Sequence, residues 1–135
     1  MQIEIKHWSG SVLHTIEADT IKAAVEALVK RGANLRGANL EGAYLRGAYL
    51  EGAKYGENIP MSTEPISIIG LGWPILILDQ HMKIGCELYS FADWSKFKDS
   101  RISKMDISAL AWWKIHKAPL MALIAATRPV EKETP

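Results

Sequence analysis

The sequence predicts an α+β protein in two parts. A β-hairpin and a helix cap a short coil of five-residue repeats, and a small domain of a β-hairpin plus helices follows. Three observations predict this. Residues 33–57 read ANLRG ANLEG AYLRG AYLEG AKYGE, a strict period of five. Ahead of them, MQIEIKHWSGSVLHT alternates apolar and polar residues around a Ser-Gly turn. After them, IIGLGWPILIL is an apolar run too interrupted by glycine and proline for a helix.

Ile3 and Ile5 alternate with Glu4 and Lys6, the period-two pattern of a half-buried strand. Ser9-Gly10 is a turn signal, so Val12 to Ile16 returns antiparallel. Asp19 or Thr20 caps a helix over IKAAVEALVKR, with Ile21, Val25, Leu28 and Val29 as its apolar stripe and Gly32 as its stop. In the repeats, a period of five fits neither helix nor strand, so the chain turns a corner at each unit. Leu35, Leu40, Leu45 and Leu50 then form the inward core, with Tyr55 in the next slot and Ala beside each.

This block resembles the pentapeptide-repeat family, whose A-[ND]-L-x-x units wind into a right-handed, four-sided β-helix. The resemblance implies one coil for about every four units, so these units make little more than one turn, and stacked coils need caps. DNA-mimicking members of the family carry long acidic coils. Here the outward Arg36, Glu41, Arg46 and Glu51 alternate in sign, which argues against DNA mimicry. Residues 1–57 also resemble an N-terminal module of tailed-phage and prophage proteins, which implies a bacteriophage origin and no particular chemistry. Gly70-Leu71-Gly72, Gly85-Cys86 and Trp94 resemble the segment that follows the module in some of those proteins.

The expected organisation is a module at 1–57, a connection in ENIPMSTEP, a small α+β domain at 66–127 and a disordered tail at 128–135. Within the second domain, IIGLGWPILIL gives a buried strand, Asp79 to His81 a turn, and Met82 to Tyr89 the returning strand. Ser90 caps a short helix over FADWSKF. Asp106 caps a longer one, ISALAWWKIHK, which Pro119 interrupts before LMALIAAT resumes it.

With 16 Lys and Arg against 15 Asp and Glu, the net charge is +1, so no global field points to nucleic acid or membrane. A single cysteine excludes an internal disulfide framework and fits a reducing cytoplasm. The N-terminus lacks the apolar core of a signal peptide, and no apolar stretch reaches the length of a membrane span. The expectation is a soluble protein of the host bacterial cytoplasm.

Catalytic and metal patterns are sparse. His81 and Cys86 lie five residues apart, and Cys86 falls on the strand face of Met82, Ile84 and Leu88, which makes it a core thiol. The four histidines, His7, His14, His81 and His116, have no metal-ligand spacing, and neither nucleotide-binding glycine motif occurs in its required context. No enzyme activity, metal or cofactor is expected. The remaining constellation is basic and aromatic: Lys98, Arg101 and Lys104 interleaved with Trp94 and Trp113. Cations neutralise phosphate, and aromatic faces stack on bases. The same residues also describe solvated helix faces over a tryptophan core.

The resulting expectation is a non-enzymatic, phage-type, homo-oligomeric binding protein. In one class it sequesters a small phosphorylated ligand, such as a nucleotide signal of host defence. In the other it binds a host or phage protein as an inhibitor or adaptor.

Overall fold

Thr20 and Gly32 delimit the first helix by their own chemistry, and they set the entrance to the repeats. The computed structural model describes residues 1–7, 9–35, 38–40, 50, 54–56 and 59–128. It is mixed helix and strand with small antiparallel sheets, the α+β class. Strand β1 (Gln2–Lys6) pairs antiparallel with β2 (Val12–Glu17), Ile3 opposite Ile16 and Ile5 opposite His14. Gly10 turns the hairpin at φ +101°, where a side chain would be strained. Helix α1 (Ile21–Lys30) begins where the Thr20 hydroxyl accepts from the Ala23 amide at 3.0 Å. It ends in a Schellman motif: Gly32 sits at φ +71°, and the Ala33 amide reaches back to the Leu28 carbonyl at 2.9 Å.

The chain divides into two compact units, Met1–Leu88 and Tyr89–Pro135. In the first, Ile5, Ile16, Ala24, Val25 and Leu28 share one core with Leu35, Leu40, Leu50 and Tyr55. All four of these repeat positions at the period of five are buried, and Ala38 with them. Leu45, expected inward, and Arg36, Glu41, Arg46 and Glu51, expected outward, lie outside the described residues. The Asn39 amide donates to the Lys6 carbonyl at 2.7 Å, and His7 bridges to Ala38. The Tyr55 hydroxyl donates to the Ala38 carbonyl at 3.0 Å inside the core.

The unit continues past the repeats. Strands β3 (Lys54–Gly56) and β4 (Ile59–Pro60) pair antiparallel. Met61 is fully buried, and the two Asp79 carboxylate oxygens each accept one amide, from Ser62 and Thr63, at 2.8 Å. Residues 59–65, from the stretch expected as a connection, belong to the first compact unit, Met1–Leu88. A four-stranded sheet follows in the order β5 (Ile66–Ile68), β6 (Ile75–Ile77), β7 (His81–Ile84) and β8 (Glu87–Ser90). Leu76 and Leu78 bring it into the same core as the repeat leucines.

Two strand expectations need correction. The apolar run does not form one strand: Gly70 and Gly72, at φ +97° and +103°, turn the chain between β5 and β6. The returning segment is likewise two strands, because Gly85 at φ +57° turns it after Ile84. Cys86 therefore leaves the alternation of Met82 and Ile84 and is exposed on that turn, not buried.

The second unit is helical. Helix α2 (Phe91–Lys96) starts at Ser90, whose hydroxyl accepts from the Asp93 amide at 3.1 Å. A short α3 (Asp99–Ser103), absent from the sequence expectation, follows. Asp106 forms a turn ahead of α4 (Ala109–Thr127), its Oδ1 accepting from both the amide and the hydroxyl of Ser108 at 2.9 Å. Those two donors hold the exposed Asp106 carboxyl below its usual range. Pro119 does not interrupt α4. It stands on the exposed side of a continuous 19-residue helix, where water can satisfy the carbonyl left without its amide. Arg128, expected as the start of a disordered tail, is buried, and its amide bonds the Ile124 carbonyl at 2.8 Å. Residues 129–135 lie outside the described residues.

Candidate functional site

The basic and aromatic residues singled out in the sequence gather around α2, α3 and the start of α4, and the structure separates the two kinds. Trp94 on α2 and Trp113 on α4 are only 2 % and 4 % exposed. Their ring centroids are 5.2 Å apart. Tyr89 and Phe97 close the cluster edge-on, Tyr89 at 5.5 Å from Trp94 and 4.9 Å from Phe97. This is the edge-to-face packing that aromatic quadrupoles favour in a core. The Trp113 indole N–H is buried with no hydrogen-bond acceptor among the described residues.

Arg101 belongs to this cluster. Its guanidinium donates to the Tyr89 hydroxyl at 2.6 Å and lies 5.3 Å from the centroids of both the Tyr89 and the Phe97 rings. A cation held this way closes the aromatic core, with its charge directed at the ring faces. Lys98 and Lys104 stand exposed at the two ends of α3, separated by the helix that buries Ile102. Lys117 donates to the Ser95 carbonyl at 3.3 Å, and Lys114 lies 3.8 Å from Asp99. Thus Trp94, Trp113 and Arg101 come together in one aromatic cluster, and Lys98 and Lys104 stand exposed at either end of α3.

A cavity of about 90 Å³ lies in the first unit, where Asn39, Tyr55, Ser67 and Lys83 are among its lining residues. It holds roughly three water volumes, far below the several hundred Å³ that a nucleotide needs. None of the residues expected to bind a ligand lines it. Among the described residues, no group of three or more His, Cys, Asp or Glu is placed to hold a metal ion, and no helix is long and apolar enough to cross a membrane.

What the sequence reasoning missed is the outer face of α4. Its inner face buries Ala109, Trp113, Leu120 and Ile124. Opposite, Ala111, Ile115, Ala118, Ala122 and Ala125 are not buried, and they follow one another at spacings of four and three. Ile115 is 69 % exposed, and Ile107, just before the helix, 102 %. The helix is thus apolar on two opposite sides, a pattern that a single-sided surface helix does not show. The signal was present in ISALAWWKIHKAPLMALIAAT, but dividing the segment at Pro119 hides a spacing that runs straight through it.

Residues 31–54 match the family model for pentapeptide repeats (8 copies), a span of about a fifth of the chain. No curated protein and no solved structure matches the chain.

Proposed function

We propose that this is a non-enzymatic interaction protein whose C-terminal unit docks onto another protein helix through the outer face of α4. The observation that carries the reading is the second apolar face of α4, centred on the exposed Ile115. Isolated surface apolar residues are ordinary, but a continuous strip of them over most of a helix is not. The N-terminal unit is the folded support. Its hairpin and α1 act as the cap of a short repeat coil, a role supported by the Asn39–Lys6 hydrogen bond and the His7–Ala38 bridge. The resemblance at residues 1–57 favours a phage-borne inhibitor or adaptor working on a protein in the bacterial cytoplasm.

Sequestration of a phosphorylated ligand has less support. It needs open stacking faces and convergent cations, whereas Trp94 and Trp113 are buried and Arg101 is engaged with Tyr89.

In-cell alkylation tests the reading whichever protein covers the face. In a Cys86→Ser background, Ala118→Cys is compared with Ser100→Cys, both at exposed positions of the second unit. A covered α4 face makes Ala118→Cys label markedly more slowly in cells than in dilute, purified protein, while Ser100→Cys labels equally in both. Equal labelling of Ala118→Cys in both settings overturns the reading.

A further inference from the structure

We infer that the outer face of α4 is occupied by α4 of a second copy of this chain, in a two-fold, antiparallel helix pair. The inference rests on the reading that this face is an interface, and it names the partner.

The spacing is the first argument. Ala111, Ile115, Ala118, Ala122 and Ala125 alternate by four and three, the seam of a heptad repeat sustained for two heptads. Such a seam fits another helix better than a sheet or a loop. Alanine at most of its positions lets two helix axes approach to the short end of the usual 8–10 Å.

The second argument is self-complementarity. In a parallel, in-register pair, Ile115 meets Ile115 and alanine meets alanine, which forces uneven separation along the seam. In the antiparallel pair, Ile115 of each copy lies against Ala118 of the other, and Ala111 against Ala122. Large meets small at the centre on both sides of the two-fold axis, as an isologous interface requires. Antiparallel helix dipoles are also favourably opposed.

Area permits the pairing, and charge sets its salt dependence. Among the described residues, the charged residue bordering the strip is Lys114, and Asp99 of its own unit lies 3.8 Å from it, so the strip asks no counter-charge of its partner. A 19-residue helix is about 28 Å long. With Ile107 and Trp112 at its margins, the strip can bury roughly 500 Å² per copy. The pair then reaches about 1,000 Å², the lower bound of specific interfaces, as a reversible dimer would. The second unit, Tyr89–Pro135, carries eight basic against five acidic side chains, a net of +3. Two such units repel each other, so salt strengthens the pairing by screening. An acidic partner helix would show the opposite salt dependence.

Sedimentation equilibrium of the purified full chain, from low micromolar to millimolar concentration and at low and high salt, tests this. The expected result is a monomer–dimer equilibrium that tightens with salt. Ile115→Glu should weaken it by at least about 100-fold, because a charge is buried against alanine, with an unchanged melting temperature since Ile115 is 69 % exposed. Orientation is read by mixing Ile115→Cys and Ala118→Cys chains, both in the Cys86→Ser background, under mild oxidation. The mixed disulfide should exceed either like-with-like product. A monomer at millimolar concentration, a dimer indifferent to Ile115→Glu, or a predominant Ala118→Cys self-link overturns the inference. A purified monomer whose Ala118→Cys is nevertheless protected in cells overturns this inference and leaves the docking reading standing. No protection in either setting overturns both.

Discussion

Tyr55 offers a test of the repeat core in which one substitution carries two opposed effects. Its hydroxyl is the hydrogen-bond donor to the Ala38 carbonyl, and burial pushes its pKa up from 10.0 to about 12. Tyr55→Phe at neutral pH leaves that buried carbonyl without its donor, at a cost of about 1–2 kcal/mol. Alkaline pH reverses the comparison. The unfolded tyrosine ionises near pH 10 and the folded one near 12, so stability that is fully present below pH 10 is lost as pH rises through this window. The slope is about 1.4 kcal/mol per pH unit, and by pH 11.5 the wild type has lost about 2 kcal/mol through this residue alone. Phenylalanine loses nothing by this route. Urea titrations of both proteins at pH 7, 9, 10.5 and 11.5 should therefore show the variant less stable at neutral pH and the two curves crossing near pH 11. Other titrating groups are common to both proteins and cancel in the difference. A stability gap that stays constant from pH 7 to 11.5 would refute the burial of this hydroxyl.

Further expectations concern the core and the aromatic cluster. Leu40→Ala, at a buried repeat position, should cost about 2–5 kcal/mol in a denaturant titration, whereas Lys104→Ala at the exposed end of α3 should change stability by about 0.5 kcal/mol or less. Arg101→Ala should destabilise the chain by about 1–3 kcal/mol, through loss of the Tyr89 hydrogen bond and the ring contacts. A neutral Arg101→Ala would return that side chain to the solvent and to ligand binding. Asp79→Ala should cost about 1–3 kcal/mol, because the Ser62 and Thr63 amides lose their shared acceptor. An unchanged urea midpoint there would mean that water replaces the carboxylate.

The parts of the fold legible in the sequence are those where one local rule decides. Thr20 and Gly32 bound α1 because a side-chain acceptor and a left-handed residue act within a single turn of helix. Leu35, Leu40, Leu50 and Tyr55 were readable because their period matches no regular element and so demands a different inward direction. The misread elements depend on competition between rules. Cys86 follows the strand alternation until Gly85 turns the chain, and periodicity alone does not announce where a strand stops. Pro119 obeys its rule by removing one hydrogen bond, yet the packing of Trp113, Leu120 and Ile124 keeps the helix continuous past it. The candidate site was legible only in part, for a related reason. Tryptophan and arginine are equally suited to stacking on a base and to closing a core, and only the 2.6 Å contact between Arg101 and Tyr89 separates the two.

The hydrogen bond from Asn39 to Lys6 also bears on how a near-identical repeat finds its alignment. ANLRG and ANLEG differ by one side chain, so a winding displaced by one whole unit would present the same leucines inward at almost the same energy. Degeneracy of that kind favours kinetic traps. What removes it are contacts with residues that do not repeat: the Lys6 carbonyl at the start and the Tyr55 hydroxyl at the end. During synthesis the hairpin and α1 leave the ribosome before the repeats do, and local pairing forms within microseconds. The second repeat, which carries Ala38 and Asn39, then meets a finished edge.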